Sequence, residues 1–220
     1  MVFHVSEKFG IQIEEIWRDK RFESIDIKGR GFAVQDDIKQ NALMFIGINP
    51  SYDGKPGSAF YDNSTKKIHK YFTKFQDISL NVGLDWTHLD LLFIRETSQN
   101  VIKALANSQI GHDFIDEQLS LSKKILELAK PQILIVNNTY ARDLLFADSF
   151  LTTKYEFEFD EVLGTERIIN HDILSGTPVF FTSMLTGQRA LDLGSYKRLV
   201  WHIKYVKKLI ENSNQTYNTR

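Results

Sequence analysis

The chain has no cysteine. Disulfides, cysteine-ligated zinc and cysteine-held iron–sulfur clusters are therefore excluded. No apolar run approaches the roughly 20 residues that a membrane-spanning helix needs. The opening Met1-Val-Phe-His-Val-Ser-Glu7 lacks the basic-then-apolar pattern of a secretory signal. These absences predict a soluble, cytoplasmic protein. An excess of positive charge is missing too, since the formal net charge is −1. A protein that coats nucleic acid is usually strongly basic, whereas an enzyme gripping a few phosphates needs only a local basic patch. No segment repeats and none is of low complexity.

What is present is enough for one sizeable core: 220 residues, 42% of them hydrophobic. One domain over 1–211 is the simplest count. The polar stretch 212–220 reads as a disordered tail. The most informative stretch is Ala42-Leu-Met-Phe-Ile-Gly-Ile-Asn-Pro-Ser-Tyr-Asp53. Leu43 to Ile46 is too short for a helix and is closed by Gly47 and Pro50, so it reads as a buried strand that stops abruptly. Pro50 offers no N–H to a ladder and pushes Asn49 into an extended conformation. An amide is thereby held at the carboxyl end of a strand, where open α/β sheets bind ligands. An ordinary strand-to-turn exit would carry the same residues.

Three further buried strands are expected at His88-Leu-Asp-Leu-Leu-Phe-Ile94, Gln132-Ile-Leu-Ile-Val136 and Pro178-Val-Phe-Phe-Thr182. Helices are expected over Ser6–Arg21, from the cap Asn63 with Ile68, Tyr71, Phe72 and Phe75 on one face, and over Asp113–Ala129. Two more follow: one capped by Asn137-Asn138-Thr139 and running through Leu145, and one capped by Ser195 and running through Ile210. Ile25 to Gly31 reads as loop or short strand without a phosphate-binding pattern, and His69 as a histidine at a surface or core edge. Lys154 to Asp160 alternates strictly. Paired with Arg167–Asn170 through a turn near Gly164, it predicts a hairpin over about 154–170, at the sheet edge or as a lid. The whole predicts an α/β three-layer α/β/α sandwich with a mainly parallel four-stranded central sheet.

Gly47-Ile48-Asn49-Pro50 resembles the first motif of the uracil-DNA glycosylase superfamily, in the form used by its mismatch-specific branch. Gly57-Ser58-Ala59-Phe60 resembles the segment that follows it, and Thr182 to Ile210 the second motif. The matches extend from Leu43 to Ile210. The resemblance implies a uracil-DNA-glycosylase-like fold and a DNA repair enzyme that hydrolyses the N-glycosidic bond of a flipped-out damaged or deaminated base, uracil first. A glycosylase for a deaminated purine, or a non-catalytic nucleic-acid or nucleotide-binding module, is the alternative. The partner implied is DNA containing such a base, handled by a monomer without metal or cofactor.

Residue by residue, the resemblance gives Asn49 the positioning of water and Ser183 the second catalytic place. Gly47, Ile48, Pro50 and Tyr52 form the base pocket, Phe60 stacks on the base, and Arg95 stands at the rim. Gly187, Gln188 and Arg189 approach the DNA, joined by Lys197 and Arg198 at the start of the last helix. Two departures stand out. The second motif has Ser183-Met184-Leu185 where the family has histidine, and the asparagine that reads uracil is replaced by Ile94, Arg95 or Glu96.

Overall fold

In a computed structural model of the chain, all residues except 63–68, 147–149, 151–153, 188–189 and 219–220 are described, with side chains through residue 213. In chain order the elements are β1 (Val2–His4), α1 (Val5–Arg18), β2 (Ala33–Gln35), β3 (Asp37–Lys39), β4 (Leu43–Gly47) and β5 (Ala59–Tyr61). Then come α2 (Thr73–Val82), β6 (Trp86–Asp90), α3 (Gln99–Leu105), α4 (Gln109–Ala129), β7 (Ile133–Val136) and α5 (Thr139–Phe146). The last are β8 (Phe157–Asp160), β9 (Thr165–Ile168), β10 (Pro178–Phe181) and α6 (Leu193–Asn218).

The central sheet has the order β6-β4-β7-β10-β9-β8. The four expected buried strands are its parallel part. The sheet is nevertheless six-stranded, not four-stranded, because β9 pairs antiparallel with β10 and carries β8 with it. The alternating segment is thus an extension of the main sheet at its edge. Alternation divides the core into two: Leu43, Phe45, Ile133, Ile135 and Phe180 meet α2 and α6 on one face, while Met44, Ile46, Leu134, Val136 and Val179 meet α1, α4 and α5 on the other.

Two small pairings lie outside the main sheet: β1 with β3, antiparallel, and β2 with β5, parallel. Neither β1, β2, β3, β5 nor α3 is visible in hydrophobic periodicity, because three-residue strands and a seven-residue helix carry too little of it. The leading helix is Val5–Arg18, and Ile25–Gly31 holds a 3₁₀ turn at Asp26–Arg30 rather than a strand. The expected helix start at Asn63 and its Ile68 fall outside the described residues; α2 proper begins at Thr73.

Three boundaries moved for identifiable reasons. Strand β6 stops at Asp90 although the apolar run continues to Ile94. The amides of Leu91 and Leu92 still donate to Gly47 O and Ile48 O at 3.1 and 2.7 Å. From Phe93 the backbone turns to α4: Gln118 Oε1 accepts from the amides of Phe93 and Ile94 at 2.8 and 3.1 Å, and Ser122 Oγ donates to Leu91 O at 2.7 Å. Helix α6 begins before Ser195, because Asp192 is the cap: its carboxylate accepts from the Ser195 amide at 3.0 Å and hydroxyl at 2.6 Å. At its other end α6 runs on to Asn218, through the stretch expected to be a disordered tail. No proline or glycine interrupts that stretch.

Candidate functional site

The four parallel strands end on the same side of the sheet. The chain passes from β4 outward to β6 and then returns across β4 to β7, so the strand order reverses beside β4. Ligands of open α/β sheets bind at such a reversal. A cavity of about 530 Å³ lies there, a size that suits one small ligand. Its lining comes from the ends of all four strands: Gly47 to Asp53 after β4, Asp90 and then Glu96 and Thr97 after β6, Asn137 and Asn138 after β7, and Met184 after β10. Tyr61, His69, Tyr71 and Phe72 complete it from the α2 side, and His88 lies beneath.

Asn49 is held by its nitrogen. Nδ2 donates to Glu96 O at 2.6 Å, Pro50 O at 3.0 Å and Ile94 O at 3.3 Å. Three carbonyl oxygens around one end of the amide require the NH₂ there, since a second oxygen would repel them. The other end, Oδ1, makes no hydrogen bond among the described residues and is the acceptor left for a ligand or water. The clamp works because Pro50 stops the strand and because the segment after β6 turns its carbonyls toward the loop after β4.

The rim is a closed set of charge pairs. Glu96 is 7% exposed; one of its oxygens accepts from the Thr97 and Ser98 amides at 2.6 and 2.7 Å, and the other pairs with Arg30. Arg95, expected to face the ligand, is not in the cavity lining. Its guanidinium donates to Lys55 O, Gly57 O and Asp53 Oδ1 at 2.9, 3.0 and 2.7 Å, which fixes the loop 53–57. Tyr52 lies within 4.9 Å of the Arg30 guanidinium and 5.5 Å of that of Arg95, and its backbone exchanges hydrogen bonds with Thr97 Oγ1.

The floor is different. Gly47 faces Asp90 in register, and Asn137 follows Val136, the partner of Ile46, so three neighbouring strands set Asp90, Gly47 and Asn137 side by side. A Cβ on Gly47 would run into Asp90 Oδ1 and come within 3.1 Å of His88 Nε2, so only glycine lets this carboxylate fold across the middle strand. His88 is 1% exposed, and neither ring nitrogen has a hydrogen-bond partner. Its Nε2 is 3.4 Å from Asp90 Oδ1 without the alignment of a hydrogen bond. Asn137 is buried, its side chain hydrogen-bonded to the Tyr71 hydroxyl while its Oδ1 is unpartnered. Burial, and then the Asp90 charge, push the Tyr61 and Tyr71 phenols well above their ordinary value.

The structure therefore brings Gly47, Ile48, Asn49, Pro50 and Tyr52 together and leaves other expected residues aside. Phe60 does not line the cavity. Strand alternation turns it toward Phe32, ring centroids 5.4 Å apart, and toward Gly10, while its neighbour Tyr61 lines the wall. Ser183 is exposed and outside the lining, which takes Met184 instead. Gly187 is exposed with a left-handed φ of 89°, and Gln188 and Arg189 lie outside the described residues. Lys197 and Arg198 are exposed on the first turns of α6, where Arg198 donates to Ser195 Oγ at 3.1 Å.

Asp90, His88, Tyr61 and Asn137 were not singled out from the sequence as site residues. The signal available was His88-Leu-Asp90, two polar residues at alternate positions in an apolar run, and it was absorbed into a buried strand. Among the described residues, no cluster of three or more His, Asp or Glu is arranged to hold a metal ion, and no helix is long and apolar enough to cross a membrane. No protein-family model matches the chain, and no curated protein matches it.

Proposed function

We propose that the cavity receives one nucleobase extruded from DNA and that the protein hydrolyses the N-glycosidic bond joining that base to its sugar. The observation that carries this reading is Asn49: its nitrogen is consumed by three carbonyls, so its Oδ1 is offered at the cavity as a fixed acceptor for a water. In the reaction the C1′–N bond breaks with its electrons going to the base, and the sugar becomes oxocarbenium-like. Water then adds to C1′ and releases a proton. A nucleophile this strongly attracted to its target needs alignment more than deprotonation, which an amide oxygen supplies. Extrusion is required because the bond is unreachable inside a duplex.

The resemblance of Gly47–Pro50 to the uracil-DNA glycosylase superfamily, and a parallel sheet with its cavity after the first long strand, favour a glycosylase fold of that type. Lys197 and Arg198 supply a basic start to α6 for phosphates. Oligonucleotides carrying single damaged or deaminated bases test the reading through alkali-labile abasic sites. The wild-type protein is expected to produce them on at least one lesion, and Asn49→Ala to lose about a hundredfold in rate. Lesion binding without abasic product from any of them would leave a binding module instead.

A further inference from the structure

The cavity floor and walls make an unusual combination for a site that must let a base leave. The floor carries the Asp90 carboxylate, which among the described residues makes no hydrogen bond and has His88, 3.4 Å away, as its one ion-pair contact. Its side chain is 11% exposed. The walls carry the rings of Tyr61, Tyr71 and Phe72. Beneath the same space the Asn137 Oδ1 and both His88 ring nitrogens are buried without hydrogen-bond partners. A carboxylate accepts hydrogen bonds and donates none.

A neutral base such as uracil departs as an anion unless it is protonated. Developing that charge beside a shielded carboxylate is unfavourable, because like charges held close together repel. The place in the second motif where the resembling family has a histidine to meet the anion holds Ser183, which is exposed and outside the cavity. A base that already carries a positive charge reverses each of these terms. It is attracted by the carboxylate, it lies well against aromatic faces, and it departs neutral. We propose that the cavity selects a cationic base, an N-alkylated purine of the 7-methylguanine type, and this rests on the glycosylase reading only for the chemistry that follows binding.

The step balances without any co-reactant. The cationic base takes the C1′–N electron pair and leaves as a neutral purine, the positive charge passes to the sugar, and water aligned by Asn49 adds to C1′ and gives up a proton to solvent. Asp90 forms no bond; it orients and holds the charged ring. Gly47 is the enabling residue, since any side chain there would displace the carboxylate.

Two measurements on the full chain test this. Calorimetric titration compares 7-methylguanosine, cationic at mildly acid pH, with guanosine. The cation is expected to bind at least about tenfold more tightly to the wild type, and Asp90→Asn is expected to abolish the difference while leaving the melting temperature unchanged. Equal affinities for the wild type overturn the proposal, even if the variant does not fold, and so does a preference that survives in a folded Asp90→Asn. Base release from oligonucleotides carrying 7-methylguanine or uracil is the second measurement, and faster release of the alkylated base is expected. Faster release of uracil overturns charge selection while leaving the glycosylase reading intact. No release from either, with an Asp90-dependent preference for 7-methylguanosine, supports charge selection and leaves the glycosylase reading to be decided by the other lesions.

Discussion

The rim and the floor of the cavity treat polar groups in opposite ways. At the rim Arg30 is paired with Glu96 and Arg95 with Asp53, and the oxygens of Glu96 are fully used. On the floor a few ångströms away, both nitrogens of His88 and the Oδ1 of Asn137 are buried without partners. An unpartnered buried polar atom costs free energy, on the order of 1–3 kcal/mol for its lost hydrogen bonds to water. Such atoms also occur away from the cavity, at Trp17 Nε1, Tyr155 OH and Arg167 Nε, but within the cavity lining they belong to the floor. The difference sets a rim tied together by charge pairs against a floor that holds unpartnered groups.

The largest expected effect of breaking this contrast is at the rim. Glu96→Ala strands the Arg30 guanidinium and two amides, and it should destabilise the protein by about 3 kcal/mol, since breaking a shielded pair leaves its partner uncompensated. Chemical denaturation reads this directly; a change under about 0.5 kcal/mol would return the pair to the status of a surface salt bridge. Asn49→Asp comes next. It places a carboxylate against three carbonyl oxygens, so it should melt at a lower temperature than Asn49→Ala, although aspartate is closer in shape. The opposite order of melting temperatures would mean that the three-carbonyl clamp does not set the orientation of the amide.

On the floor the sign reverses. His88→Leu removes two unpaired nitrogens at similar volume and should raise stability by about 1 kcal/mol while weakening ligand binding. A clear loss of stability would show that the imidazole is satisfied in solution and that the contrast is weaker than it looks. The smallest effect is alkaline. The folded Tyr61 and Tyr71 phenols lie above their ordinary value of 10.0, so the stability tied to them is intact below that pH and is lost as pH rises through the folded values. Tyr71→Phe should flatten the fall in stability expected as pH rises above about 10. Asp90→Asn should ease ionisation of both phenols, visible as an earlier rise in phenolate absorbance; no change would separate the Asp90 charge from the aromatic wall.

The four parallel strands and the long helices were legible because each carries a full stripe or run of apolar residues. Asn49 was legible for a different reason: Pro50 fixes its backbone and Gly47 ends the strand before it. Arg95 misled, since strand β6 ends at Asp90 rather than Ile94, and only the Gln118 and Ser122 contacts from α4 reveal why. Those contacts join residues far apart in sequence, which periodicity cannot express. Phe60 misled by one position. Its neighbour Tyr61 faces the cavity because β5 pairs with β2, and three-residue strands announce neither their pairing nor their facing. The floor stayed hidden because it depends on register: Asp90, Gly47 and Asn137 become neighbours only when three strands align.

The attachment of β8 through β9 also changes which strand stands at one edge of the sheet. It moves the open end of the sheet from β10, whose Pro178-Val-Phe-Phe181 is a bare apolar template, to β8, whose Phe157-Glu-Phe-Asp160 carries a carboxylate at every second position. A second chain approaching along β8 would bring its own Glu158 and Asp160 with it. Removing these charges from water, and from their pairing with Arg167, makes such strand addition unfavourable. The hairpin thus acts as a fender against edge-to-edge aggregation in a crowded solution.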